Sequence, residues 1–155
     1  RTASGVRGIN IEDDDEVVGM ITYDPNADDA AAHSILVVSE NGYGKRSDFE
    51  EYRKTNRGGK GVKTLNITEK TGALVAMKNV TDENDLMIIN RSGITIRMAV
   101  SDIRIAGRAT QGVRLINIKE GDSIAAISAV SKSEEEQTVA PVEAGSAETT
   151  EQNNQ

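Results

Sequence analysis

A pattern that occurs three times constrains this chain more than any other feature. Arg1-Thr2-Ala3-Ser4-Gly5-Val6-Arg7-Gly8-Ile9-Asn10-Ile11 returns as Arg57-Gly58-Gly59-Lys60-Gly61-Val62-Lys63-Thr64-Leu65-Asn66-Ile67, and again as Arg108-Ala109-Thr110-Gln111-Gly112-Val113-Arg114-Leu115-Ile116-Asn117-Ile118. Seven columns are shared: an Arg, a Gly-Val pair, a cation, an aliphatic, an Asn and an Ile. The segments between them repeat too: Ile35-Leu36-Val37-Val38 with Gly42 and Arg46 matches Leu86-Met87-Ile88-Ile89 with Gly93 and Arg97. The spacing there is 51 residues, as it is from Arg57 to Arg108, and it is 56 from Arg1 to Arg57. The surplus falls near Asp24-Pro25-Asn26-Ala27-Asp28-Asp29, a polar, turn-rich loop. A period of about 50 residues predicts a propeller-like or solenoid array of small sheets.

Each unit reads as four short strands. In the second unit they are expected near 62–67, 73–79, 85–90 and 94–99. Thr71-Gly72, Asp82-Glu83-Asn84-Asp85 and Arg91-Ser92-Gly93 separate them, and the last gap is short enough for a tight hairpin. The alternation in Val62-Lys63-Thr64-Leu65-Asn66-Ile67 gives one inward and one outward face. No amphipathic helix emerges. The fold class is therefore all-β, with antiparallel sheets over residues 1–130 and a tail over 131–155 whose Glu, Ser, Thr, Ala and Gln predict disorder.

The composition agrees. One Phe, three Tyr and no Trp leave the core to aliphatic side chains. The absence of Cys rules out disulfides and thiolate metal sites and fits a reducing compartment. No apolar run approaches the roughly 20 residues that span a bilayer. No signal peptide is recognisable, and a start at Arg1 rather than Met suggests a fragment.

A net charge of −7 argues against a polyanion partner until its distribution is considered. Residues 132–155 hold six Glu and one Lys, whereas residues 1–131 carry 17 Lys/Arg against 19 Asp/Glu. Within that body the signs separate. Arg91 to Arg114 has five Arg and one acid, and Asn41 to Val62 has six Lys/Arg (Lys45, Arg46, Arg53, Lys54, Arg57, Lys60) and three acids. Local patches, not the total, decide what a surface attracts.

The densest patch ends in Arg57-Gly58-Gly59-Lys60-Gly61, two cations among three glycines. Glycine accepts positive φ and lets backbone N–H groups approach an anion closely. Arg57, Lys60 and Lys63, helped by Arg53 and Lys54, can meet successive phosphates in a sequence-independent way. The bland alternative is a solvated turn between strands. Arg108 and Arg114 share the columns of Arg57 and Lys63, as do Arg1 and Arg7, so these too are candidates. Arg1 and Arg108 have a rival reading as pairs with an acid between units. Lys45, Arg46, Arg91 and Arg97 form a second tier. Tyr43 and Tyr52 flank the loop and read first as packing residues.

Other apparent sites fall away. Gly44-Lys45-Arg46 and Gly59-Lys60-Gly61 lack the Ser/Thr after Lys that a nucleotide-binding loop needs for Mg²⁺. A lone His33 all but excludes a His-based metal site or a catalytic triad. The run from Glu12 to Glu16 lacks the spacing of a calcium loop and reads as a charged turn.

These motifs together resemble the C-terminal domain of the DNA gyrase A subunit. Asn41-Gly42-Tyr43-Gly44-Lys45-Arg46 and Gly107-Arg108-Ala109-Thr110-Gln111-Gly112-Val113 look like its blade motifs, and Arg57-Gly58-Gly59-Lys60-Gly61 looks like the core of its gyrase-A box. That box usually begins Gln-Arg, where Thr55-Asn56 stand here. The resemblance implies a β-pinwheel, a propeller-like disc of four-stranded blades that exchange strands, of which this chain would hold two to two and a half. It implies that double-stranded DNA wraps a basic rim, with repeated cations as a track for curved DNA. It implies partnership with the remainder of gyrase A, and with gyrase B, in an A2B2 complex. That bacterial, cytoplasmic, nucleoid-associated enzyme would introduce negative supercoils, with ATP and Mg²⁺ used elsewhere and no cofactor, catalytic or metal-binding residue on this segment. The alternatives are the corresponding domain of topoisomerase IV and a propeller-type module for an acidic partner protein. The tail either solubilises the chain or competes with DNA for the rim.

Overall fold

A computed structural model describes residues 3–132 of the chain. Seven strands run in chain order: β1 Ser34–Ser39, β2 Tyr43–Ser47, β3 Leu74–Val80, β4 Asn84–Asn90, β5 Thr95–Ala99, β6 Val113–Arg114 and β7 Ile124–Ser131. Single 3₁₀ turns lie at Ala30–Ala32, Phe49–Glu51 and Val100–Asp102. Among the described residues there is no α-helix, nor any helix long and apolar enough to cross a membrane. The tail expected over 131–155 lies outside the described residues from 133 onward.

The strands form two antiparallel sheets, ordered β3-β1-β2-β6 and β5-β4-β7. Each is built on a hairpin, β1–β2 in the first and β4–β5 in the second. Gly93 donates to the Asn90 carbonyl at 3.0 Å and Asn90 to the Ile94 carbonyl at 2.9 Å, closing β4 onto β5 as the short gap predicts. The outer edge of each hairpin is then covered by a strand from the next repeat. β3 pairs with β1 through Ser34↔Val80 and Val37↔Met77, and β7 pairs with β4 through Asp85↔Val130 and Ile88↔Ile127. The second sheet thus reproduces the first, 51 residues on.

The strands of one repeat do not share one sheet, as the strand exchange implied by the resemblance leads one to expect. β3 and β4 are consecutive but belong to different sheets. The Thr81–Asn84 turn between them, where Thr81 donates to Asn84 Oδ1 at 2.8 Å, leads the chain from one sheet into the other. The strand expected at 62–67 does not form either. Its counterpart β6 pairs with β2, two repeats back, through Tyr43↔Arg114 and Gly44↔Val113. Residues 62–63 run without a ladder, and of residues 62–67 only Leu65 is deeply buried. Offset by the 56 residues of the first interval, Val18 and Met20 stand where β3 stands in the next repeat, and they are exposed.

Alternation along β1 builds two cores, since successive side chains of a strand face opposite ways. Leu36 and Val38 join Val80, Leu86, Ile88, Val100, Ile103, Ile116, Ile124 and Ile127, which weld the two sheets together. Ile35 and Val37 face Leu65, with Phe49, Tyr52, Leu74 and Met77 at its margin. Each fully buried aliphatic contributes about 1.5–3 kcal/mol. The larger cluster contains no aromatic residue, as the composition requires.

Backbone geometry explains the repeated glycines. Gly5, Gly61 and Gly112 occupy one column at φ of +79, +77 and +76°, and Gly42 and Gly93 another at +83 and +87°. A Cβ on Gly112 would also lie 2.5 Å from the Gly44 carbonyl, while one on Gly93 would meet open space. Gly93→Ala therefore isolates the backbone cost of about 1–2 kcal/mol. Gly112→Ala is expected to cost more, because two backbones must also part, and the shift in urea midpoint of the two variants measures the difference.

The single histidine follows the extra residues of the first repeat. His33 Nδ1 lies 2.8 Å from Asn79 Oδ1 and Nε2 lies 3.2 Å from Asp29 Oδ2, while Asn79 Nδ2 donates to the Thr22 carbonyl and so fixes its own orientation. Only an imidazolium can donate to both oxygens. The Asn79 bond, then that of Asp29, raises the imidazole above its ordinary 6.5, against a smaller opposing effect of burial. A raised pKa makes this stabilisation complete below pH 6.5 and lost as pH rises through the folded value. NMR titration of the one histidine is expected to give a pKa above 6.5 that falls in Asp29→Asn.

Candidate nucleic-acid interface

The glycine-rich loop stands fully at the surface. Arg53 through Gly61 are all exposed, and Arg53, Thr55, Asn56 and Arg57 through Gly61 line an open cleft of about 380 Å³. Gly58 and Gly61 hold the loop's shape at φ of +77°. It is not free-swinging: Gly58 N–H donates to the Gly8 carbonyl at 2.8 Å and Asn10 N–H to the Gly59 carbonyl at 2.9 Å. The loop thus hangs on the Arg7–Asn10 segment of the preceding repeat. Beneath it, Tyr52 bonds Thr64 through its hydroxyl and packs at the margin of the smaller core.

The loop of the next repeat is held in the same way, since Asn66 N–H donates to the Thr110 carbonyl at 3.1 Å. Arg108 does not reach outward as its column-mate Arg57 does. Its Nε donates to the Glu51 carbonyl at 2.9 Å and its Nη1 to the Lys63 carbonyl at 2.7 Å, while its backbone N–H meets the Glu51 carboxylate at 3.3 Å. This arginine ties its loop to the loop before it.

Two candidate cations are interior. Lys45 is 1% exposed, and its ammonium donates to the Gly107 carbonyl at 2.6 Å, to the Arg108 carbonyl and to Thr110 Oγ1 at 3.4 Å. Burial, and then the positive charge of Arg108, pushes this lysine below its ordinary value. Arg46 is 4% exposed, bonds Ser34 Oγ through Nε at 2.9 Å, and through Nη1 reaches Asp82 at 2.7 Å and the carbonyls of Val100 and Ile103. Neither offers its charge to a phosphate, so both leave the candidate interface. Arg97 likewise faces a carboxylate, that of Asp85 at 2.7 Å, in the register where Arg46 meets Ser34. Arg1 lies outside the described residues.

The cation column of the repeat, by contrast, stays outside. Arg7, Lys63 and Arg114 are exposed. Arg7 Nη1 donates to Asn10 Oδ1 at 3.0 Å, and Arg114 Nη1 donates to Asn117 Oδ1 at 3.1 Å, which gives the repeated Asn a purpose in two copies. Arg114 also donates from Nε at 3.2 Å and Nη2 at 2.9 Å to the hydroxyl of Tyr43, whose phenol is drawn below its ordinary value by that guanidinium. Lys70 places its ammonium 5.5 Å from the centroid of the Tyr43 ring. Sequence reading missed Lys70, which belongs to no repeated cation column. The contacts that bring its turn to this face, from Asn41 Nδ2 to the Glu69 and Lys70 carbonyls, are 28 and 29 residues long in sequence. The acidic run at Glu12–Glu16 forms a turn, with Asp15 N–H on the Glu12 carbonyl at 3.1 Å.

Comparison with known proteins agrees with this architecture. The family model described as DNA gyrase C-terminal domain, beta-propeller, matches residues 1–24, 33–81 and 84–131. The DNA gyrase A protein of Staphylococcus aureus strain NCTC 8325 is 46% identical over 138 residues, which are 89% of this chain and 15% of that protein. Its Staphylococcus epidermidis equivalent is 45% identical over 87% of the chain and again 15% of its own length. The chain therefore spans about a seventh of these relatives. Among solved structures, a DNA gyrase A C-terminal domain superposes with a TM-score of 0.59 at 24% identity, over 62% of this chain and 33% of that one. The C-terminal domain of a DNA topoisomerase IV superposes with a TM-score of 0.69 at 21% identity, over 81% and 38%. At such identities the two structures speak to the fold alone.

Removing the interior ammonium tests its structural role. Lys45→Met keeps length and apolar stem but strands the carbonyls of Gly107 and Arg108, so a stability loss of about 1–3 kcal/mol is expected in urea unfolding. A loss below a few tenths would show that the ammonium does not hold the 107–110 loop.

Proposed function

The chain belongs to the DNA gyrase C-terminal domain family, and from that membership we propose that it binds the backbone of double-stranded DNA along its row of exposed cations. The observation that carries this reading is the cleft of Arg53, Arg57 and Lys60, fully exposed on a loop with two positive-φ glycines and hung beside Arg7. Lys54, Lys63 and Arg114 are exposed as well and add to the available cations. Phosphates neutralised by such cations release counterions, which supplies affinity without sequence preference. Cations presented at successive repeats suit a curved duplex held by its backbone.

In this reading the segment wraps DNA for the A subunit of a type II topoisomerase that works with a B subunit, ATP and Mg²⁺ in the cytoplasm. Strand cleavage and ATP hydrolysis belong to other parts of that assembly, and the segment's share is to present DNA with a defined path. The identity to gyrase A proteins favours gyrase over topoisomerase IV. The Glu-rich residues beyond Lys132 act as a competing polyanion for the same cations.

Fluorescence anisotropy of a labelled duplex, titrated with the 155-residue chain across a salt series, tests the proposal. Binding is expected to weaken linearly in log salt, and Arg57→Ala/Lys60→Ala to make the slope shallower by about 1.8, at about 0.9 per phosphate contact. An unchanged slope in the double variant would remove the loop from the interface. Absence of any salt-dependent binding would turn the reading toward an acidic protein partner.

A further inference from the structure

We infer that Tyr43 and Asn117 are positioning residues for Arg114, holding its guanidinium so that a fixed pair of N–H groups faces a DNA phosphate. The inference rests on the DNA-binding reading and adds to it how one rim cation is prepared.

The arginines of this chain sort by the partners they meet. Arg46 and Arg97 face the carboxylates of Asp82 and Asp85, which cancel their charge locally. Arg108 is spent on the carbonyls of Glu51 and Lys63. Arg114 is held by three bonds, to two neutral acceptors, the phenol oxygen of Tyr43 and the amide oxygen of Asn117. It is therefore oriented and still fully charged. Of the five N–H groups of a guanidinium, those three bonds use three, and the two that remain sit on Nη1 and Nη2. Two donors on one planar fork match the spacing of two phosphate oxygens.

The grip is itself rigid. Tyr43 is 6% exposed and stands opposite Arg114 in the β2–β6 register. It lies between Gly42, at φ of +83°, and Gly44, where a Cβ would fall 2.6 Å from both Leu115 Cδ1 and the Val37 carbonyl. The backbone that carries the ring is thus closely packed, and the ring itself is buried. A flexible arginine loses rotamer freedom when it binds; one already held loses less, and affinity gains accordingly. Arg7 and Asn10 repeat the amide half of the arrangement at 3.0 Å.

A double-mutant cycle tests the inference, again by anisotropy with the 155-residue chain and a labelled duplex. Tyr43→Phe removes one hydroxyl and leaves the packed ring in place. It is expected to weaken binding about threefold to tenfold in the native background, and by less than about twofold once Arg114→Ala is present. Asn117→Ala is expected to behave in the same way. Asn117→Asp should weaken binding more than Asn117→Ala, because it neutralises the cation it orients. Equal losses in both backgrounds would mean that Tyr43 acts through the fold, and the inference fails. If Arg114→Ala weakens binding but Tyr43→Phe and Asn117→Ala do not, positioning fails while the DNA reading stands. If Arg114→Ala is silent and Arg57→Ala/Lys60→Ala is not, Arg114 is no contact and only this inference falls. Silence of both sets of variants would remove the DNA reading with it.

Discussion

The open edge of each β-hairpin is the constraint on which the rest of the structure depends. A two-stranded hairpin of this length is marginal in water, and its unpaired N–H and C=O groups invite another chain. Here the covering strand comes from the following repeat, β3 onto β1 and β7 onto β4. Because the donor strand leaves its own repeat, every sheet is also a covalent joint between repeats. The large aliphatic core then lies across that joint, drawing Leu36 and Val38 from the first sheet and Leu86, Ile88 and Ile127 from the second. Backbone pairing and apolar burial therefore fix the same relative placement of the two sheets.

That placement decides what each repeated residue can do. The glycine column supplies left-handed backbone, and the asparagine column supplies an N–H that carries the neighbouring loop, as at Asn10 and Asn66. Cations divide by the atoms that receive them. Carbonyls take Lys45 and Arg108, carboxylates take Arg46 and Arg97, and neutral side chains take Arg7 and Arg114. Charge count in the sequence is the same for all of them. Availability to an outside anion differs because only some keep both exposure and an uncancelled charge.

The repeat, the strand cores and the hairpin turn were legible because they rest on local patterns: aliphatic runs, a short Arg91-Ser92-Gly93 gap and recurring glycines. Strand exchange came only with the family resemblance, because the partner of β1 lies about forty residues away and no local residue records which edge it will find. The interior place of Lys45 was obscured by its neighbours, since a lysine between glycine and arginine reads as surface. The repeat did hold a hint. The residue 51 positions on is Ile96, an aliphatic packed against the main core, so this column faces inward and the lysine there needs buried acceptors. Arg46 carried no such hint, because its counterpart is another arginine. Distinguishing Arg114 from Arg108 required the fold, since the two differ in which carbonyls and side chains come within reach.

The exchange of strands also sets a timetable for a chain that emerges from one end. The β1–β2 hairpin can form at once, yet its first sheet remains open until β3 has been made, and its other edge waits for Val113 and Arg114, paired with Gly44 and Tyr43. Contacts so distant in sequence close slowly. Each newly made repeat therefore completes the one before it rather than itself. During synthesis the growing end always carries an unfinished sheet with a bare edge. Exposed edges of that kind are where nascent β proteins stray into wrong partners, so the order of synthesis, as much as the finished contacts, bears on how such an array reaches its native state.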